Sequence, residues 1–206
     1  MTQEDFQKGI NRYADVIETI KESAHQLHAH VNQTYGGRLP YAYHLDMVAD
    51  SVYKYGHHVC AGEDDLLPLF FGAYYHDSIE DARLTYNDVV KAARLYMDTD
   101  QAVVAAEIVY ALTNDKGRTR AERAGEKYYQ GIRQTPYAPF VKLADRLANI
   151  TYSCVHSKDD NARMKTVYSD ELPHFLEAID SHQTDIRFSL PPVMVQAMKM
   201  MVGDIS

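Results

Sequence analysis

The chain has 206 residues, 46% of them hydrophobic and 24% charged, with ten Gly and seven Pro; this is a globular composition that excludes collagen-like, low-complexity and disordered classes. Its most apolar stretch, around Leu66–Tyr75, falls short of the roughly 18 residues a membrane-spanning helix needs, and Met1-Thr2-Gln3-Glu4-Asp5 is unlike a basic signal-peptide start. The formal net charge of −8 argues against a nucleic-acid polymer as partner, and two distant cysteines, Cys60 and Cys154, give neither a disulfide framework nor a zinc ribbon. A reducing cytoplasm is the expected location.

Apolar residues recur at three- and four-residue steps from Phe6 through Ile10, Tyr13, Ile17, Ile20, Ala24, Leu27 and Val31, which predicts one long amphipathic helix ending before Gly36-Gly37. A second helix is predicted over 43–55, with Met47, Val48, Ser51, Val52 and Tyr55 on a common side. An acidic loop at 61–65 precedes a strongly apolar helix over 66–81, with Pro68 in its first turn. Thr85 reads as the N-cap of a helix over 85–97, and a core helix follows over 102–112.

A polar loop over 113–120 then leads to helices over 120–133 and 140–156, separated by Pro136 and Pro139. Residues 157–179 read as helical with a bend at Pro173, and a last helix follows Pro191-Pro192. No alternating strand, internal repeat or linker stands out, so the expectation is all-α, a single helical domain over 1–206.

Ten histidines are spread along the chain, but only His76 falls in a run of chemistry-bearing residues, His76-Asp77-Ser78-Ile79-Glu80-Asp81, at the end of the most apolar helix. On a continued helix His76 and Glu80 would share one face, and Asp77 and Asp81 another. Placing that much charge against a core is costly unless a metal or partner compensates it. His44 supplies a possible third ligand and Asp145 a fourth, with Asn149 one turn beyond Asp145. Two imidazoles and two carboxylates suit Mn²⁺, Fe²⁺ or Zn²⁺ better than the all-oxygen ions, and four ligands leave positions open for metal-assisted hydrolysis. Between Lys116 and Arg146, eight Lys and Arg stand against three carboxylates, a basic segment in an acidic chain that reads as a solvated helix face unless phosphate chemistry lies nearby, when it becomes a phosphate-site candidate.

The order His44, His76-Asp77, Asp145 resembles the HD phosphohydrolase superfamily. The segments Gly37-Arg38-Leu39-Pro40-Tyr41-Ala42-Tyr43-His44, His76-Asp77-Ser78-Ile79-Glu80-Asp81, Leu112-Thr113-Asn114-Asp115-Lys116 with Glu122-Arg123, and Val141-Lys142-Leu143-Ala144-Asp145-Arg146-Leu147-Ala148-Asn149 are similar to the hydrolase domain of the RelA/SpoT family, whose free-standing members are the small alarmone hydrolases. The likeness covers about residues 24–155, leaving C-terminal helices over 157–206.

The resemblance implies an HD-domain fold and Mn²⁺-dependent removal of the 3′-pyrophosphate of guanosine tetra- or pentaphosphate (ppGpp, pppGpp), giving GDP or GTP plus pyrophosphate. It further implies His44, His76, Asp77 and Asp145 as metal ligands, and Glu80 and Asp81 as the pair that positions and activates water. Lys116, Arg123 and Lys142 would neutralise pyrophosphate, and Asn149 would contact the nucleotide.

The departures fall where the base is read. After Gln33 the family usually carries an Arg-Lys pair, one member of which packs against guanine; this chain has Thr34-Tyr35, with Tyr35 and Tyr168 as candidate base neighbours. Leu45 replaces a customary Pro, and Thr151 stands where many members have Arg. Two alternatives stay open: an HD phosphohydrolase acting on another nucleotide, a nucleotide diphosphate sugar or a phosphomonoester, and a non-catalytic nucleotide-sensing HD domain. Glu80 and Asp81 argue against the second, because a sensor needs no base.

Overall fold

The computed structural model describes residues 1–114, 118–155 and 162–203, and over these the protein is all-α. Helix α1, Gln3–Arg12, is capped by the Thr2 hydroxyl, which accepts from the Asp5 amide at 3.1 Å; α2, Ala14–His30, follows directly. The single helix expected over 6–31 is therefore interrupted at Tyr13, where ψ rises to 13°. The break lets the two halves face different partners: α1 meets the 3-10 turns near His57 and Glu63, while α2 lies along the two helices that follow. Arg12 fastens the joint through Glu63 at 2.5 Å.

Two short strands not anticipated from the alternation, β1 (Thr34–Tyr35) and β2 (Leu39–Pro40), pair antiparallel across Gly36-Gly37. Helix α3, Ala42–Tyr55, leads through two 3-10 turns to α4, Leu66–Tyr75, in which all ten residues are buried. Helix α4 stops at Tyr75, so the helix expected to run to Asp81 is cut short and His76–Asp81 forms successive turns. The cause is local. The His76 ring donates from Nδ1 to the Ala73 carbonyl at 2.8 Å, taking the acceptor that the Asp77 amide would use in a continued helix.

Helix α5, Tyr86–Ala93, has the expected Thr85 cap, closed reciprocally by Asp88, and ends earlier than residue 97. Helix α6, Thr99–Leu112, starts three residues before the expected position because Asp98 caps it through the Gln101 amide. The helix expected over 120–133 is two, α7 (Arg120–Arg123) and α8 (Glu126–Gln134), separated at Gly125, whose extended backbone and missing side chain favour a break. Helix α9, Ala138–Val155, takes Pro139 into its first turn; α10, Ala162–Ile179, holds Pro173 inside it, and α11, Pro192–Val202, begins on a proline.

The core runs around α4, which packs on α2, α3, α6 and α9. Gly72 allows the α4–α6 approach, since a Cβ there would sit 2.7 Å from Ile108 Cγ2. Helices α3 and α4 abut each other and α9, so their ends carry His44 and His76 toward the middle of α9, where Asp145 stands.

The hairpin is pinned to α9 as well. Gly36 has φ +58°, and a Cβ on it would lie 2.0 Å from the Tyr152 hydroxyl oxygen. Gly36→Ala combines left-handed strain with that clash and is expected to cost about 2 kcal/mol of unfolding free energy in urea titrations. A loss below about 0.5 kcal/mol would show that the hairpin does not rest on Tyr152.

Candidate metal centre

His44 lies in the first turn of α3 and His76 just beyond α4, both almost fully buried, with their Nε2 atoms facing each other at 3.2 Å. Asp145 reaches in from α9, placing Oδ1 at 3.4 Å from His44 Nε2, and Asp77 places Oδ2 at 2.9 Å from His76 Nε2 and 3.7 Å from His44 Nε2. Donors bound about 2.1 Å from one ion lie about 3.0–3.4 Å apart when adjacent in octahedral or tetrahedral shells, which is the spacing seen here. His44, His76 and Asp145 offer donor atoms that all lie within 4.8 Å of one another, the only such set among the described residues. Asp77 approaches the two imidazoles without joining that triad, and its Oδ2 also accepts from the Tyr41 hydroxyl.

The tautomer suits a cation. Because His76 Nδ1 donates to a carbonyl, its Nε2 is the end left to accept a proton or a metal, and it points at the equivalent atom of His44. Burial opposes charge on His76, yet Asp77 and then Asp145 outweigh it and raise the imidazole to about 9. Burial likewise disfavours the Asp77 carboxylate, and His76 overcomes it and holds the group below the usual range. At Asp145 burial is outweighed by Lys142 and His44, which hold the carboxyl well below the usual range. The donor set therefore attracts positive charge, and its residues fit a borderline divalent ion.

Further groups brace Asp145. Its Oδ2 accepts from Lys142 Nζ at 2.9 Å, and its Oδ1 and backbone carbonyl accept from Asn149 Nδ2 at 2.6 and 3.0 Å. Burial works against the Lys142 charge, but Asp145 keeps its pKa well above the ordinary lysine value. The Asn149 oxygen accepts from the Tyr35 hydroxyl at 2.9 Å, so both ends of that amide are engaged within the protein.

Glu80 and Asp81 stand beside this set on the turns after α4. Burial pushes the Glu80 carboxyl up, partly offset by the Asn114 amide that donates to Oε1. Burial and the nearby Asp77 charge raise Asp81, against a lowering contribution from the Tyr41 hydroxyl. A cleft of about 1070 Å³ begins at Asn114, Lys142 and Asp145 and runs to α8 and α10, where Arg133, His174 and Phe175 line it.

The structure thus brings together His44, His76, Asp77, Asp145, Glu80 and Asp81, although the shared helix face expected for His76 and Glu80 does not exist. Lys142 points at a ligand, Asn149 lies between a ligand and Tyr35, and Arg123 lines the cleft on α7. Lys116 lies outside the described residues. Sequence reasoning missed Tyr41, Asn114 and Arg146 as contributors. Arg146 follows Asp145 directly, is 9% exposed, and lies over the Tyr168 and Phe175 rings at 4.9 and 4.3 Å while pairing with Glu171. In the sequence it counts only as the last of the basic residues over 116–146.

His28 was passed over among the ten histidines. Its ring is 1% exposed, stacks on Tyr41 at 4.7 Å, and has no hydrogen-bond partner at either nitrogen. Burial lowers it to about 4. An unfolded imidazole takes its proton near pH 6.5 and the folded one does not, so this residue costs no stability above pH 7 and an increasing amount from 6.5 down to about 4. Between pH 7 and 5, metal-free protein should lose about 2 kcal/mol more than His28→Leu in urea titrations. Equal losses would exclude a neutral buried His28.

No family model matches this sequence, and no curated protein matches it. Among the described residues, no helix is long and apolar enough to cross a membrane.

Proposed function

We propose that the protein is a metal-dependent phosphohydrolase of the HD type, acting on a nucleotide and, in its leading form, removing the 3′-pyrophosphate of guanosine tetra- or pentaphosphate. The observation that carries this reading is the pair of imidazole Nε2 atoms facing each other at 3.2 Å, with Oδ1 of Asp145, which also lines a nucleotide-sized cleft, at 3.4 Å from His44. Held by His44, His76, Asp77 and Asp145, Mn²⁺, or Fe²⁺ or Zn²⁺ in its place, would supply Lewis acidity toward a phosphate oxygen and a lowered pKa for water.

The remaining chemistry belongs to the side chains. Glu80 and Asp81, with carboxyls raised by burial, are better proton acceptors than exposed carboxylates, and they flank the ligands where attacking water would stand. Hydrolysis forms a bond from the water oxygen to the phosphorus carried by the ribose 3′-oxygen and breaks that P–O bond; one water proton passes to this carboxylate pair and is returned to the 3′-oxygen, which leaves as a hydroxyl. Lys142 and Arg123, which both line the cleft, would be the partners for charge on the pyrophosphate.

Purified protein loaded with Mn²⁺ is expected to release pyrophosphate from ppGpp, and Glu80→Gln to do so at least about a hundredfold more slowly. Absence of release despite stoichiometric bound metal would move the reading to another nucleotide or a phosphomonoester, which the Tyr35–Asn149 bond favours because it occupies a residue expected to meet guanosine. Nucleotide binding without turnover on any phosphate ester would leave a nucleotide sensor.

A further inference from the structure

The hairpin side of the metal centre is filled by the protein itself. The Tyr35 ring stacks on His44 at 4.8 Å and 25°, leans on Tyr152 at 4.5 Å, and meets Tyr41 edge-on at 6.3 Å. Its hydroxyl occupies the Asn149 oxygen, and the Asn149 nitrogen is spent on Asp145. A base entering from the hairpin would have to displace an aromatic ring from His44 and break that chain of hydrogen bonds.

The opposite side is an open cleft with different groups at its two ends. Among the cations lining the cleft, Arg146 is paired with Glu171 and Arg133 with Glu126, Lys142 is paired with Asp145 at the metal end, and Arg123 comes in from α7. A divalent ion bound to Asp145 would compete for that carboxylate and release Lys142 to phosphate. The end toward α10 is neutralised by its ion pairs and carries aromatic surface from Tyr129, Tyr168 and Phe175. Phosphate is favoured at the first end and an uncharged aromatic ring at the second.

We propose that the nucleoside of the substrate lies in the cleft between α8, α9 and α10, and that Tyr35 is the specificity-determining wall that bars it from the hairpin side. This rests on the nucleotide reading given above and fixes the direction in which the substrate lies.

The protein has no tryptophan, so one substitution adds one selective fluorophore. His174→Trp reports on the cleft and Tyr43→Trp on the hairpin side, and both native residues are exposed. Each variant, loaded with Mn²⁺, would be titrated with GDP, and with inorganic pyrophosphate as the base-free control. The expected result is a saturable change with GDP at position 174 well beyond that with pyrophosphate, and none at position 43. In Tyr35→Ala/Tyr43→Trp the wall is gone, and position 43 should become responsive to GDP.

A GDP response at position 43 with Tyr35 present overturns the proposal, as does silence at position 174. Silence in the double variant overturns the role given to Tyr35. A response at 174 in a protein that hydrolyses no phosphate ester would retire the enzyme reading and leave this placement standing; hydrolysis with a response at 43 would do the reverse.

Discussion

Asp145→Ala is expected to weaken Mn²⁺ binding at least about a hundredfold and to abolish measurable phosphohydrolysis. The deletion acts twice. It removes the oxygen that faces His44 at 3.4 Å, and it strips Lys142 of the carboxylate at 2.9 Å that neutralises it, leaving a buried ammonium beside two imidazoles. A site that attracts cations would then repel them. Loss of one partner of a buried pair also costs about 3–5 kcal/mol of stability, so the melting point of the metal-free protein should fall.

Asp145→Asn separates the two contributions. It keeps an oxygen for Lys142 and the shape that Asn149 packs against, so it should fold more stably than Asp145→Ala while still losing the metal. Calorimetric titration with Mn²⁺ beside thermal melts of both variants decides the matter. Undiminished stoichiometry and affinity in Asp145→Ala would end the metal-centre assignment.

Much of this arrangement could be read from sequence because it rests on local pattern. The ten consecutive buried residues of α4 are visible as an uncharged run, Thr85 announces its helix through a cap, and the order of His44, His76-Asp77 and Asp145 survives folding. What could not be read depends on where side chains turn. Periodicity carried the α4 helix on through His76 because the residues permit it; the His76 ring ended it by taking the Ala73 carbonyl. The Tyr13 break follows from two helix halves choosing different partners, which no single segment encodes.

Asn149 shows the same limit at the site. Its spacing from Asp145 places it correctly one turn away, but its amide is claimed by Tyr35, 114 residues earlier in the chain. That pairing exists only once β1 is laid across α9. The role of Lys142 likewise depends on direction, since a lysine three residues before an aspartate reads equally well as an exposed helix pair.

Glu80→Gln is expected to leave Mn²⁺ affinity within about threefold and to lower turnover at least about a hundredfold, the scale of losing a general base. The amide is nearly isosteric and can still accept from the Asn114 amide, so the turn after α4 should hold its shape. What it cannot do is take a proton. Glu80 is the stronger candidate of the two carboxylates because its partner Asn114 lines the cleft, whereas Asp81 is set among Asp77 and Tyr41. Asp81→Asn should therefore cost less turnover than Glu80→Gln.

The acid limb of the pH profile gives an independent readout. A base must be deprotonated to work, and burial raises the Glu80 carboxyl, so activity should fall at higher pH than an ordinary glutamate near 4.3 would impose. In Glu80→Gln the residual activity should lose that limb, while Asp81→Asn keeps it. If Asp81→Asn flattens the limb and Glu80→Gln preserves it, the proton goes to Asp81, and the Asn114 contact serves only to shape the turn.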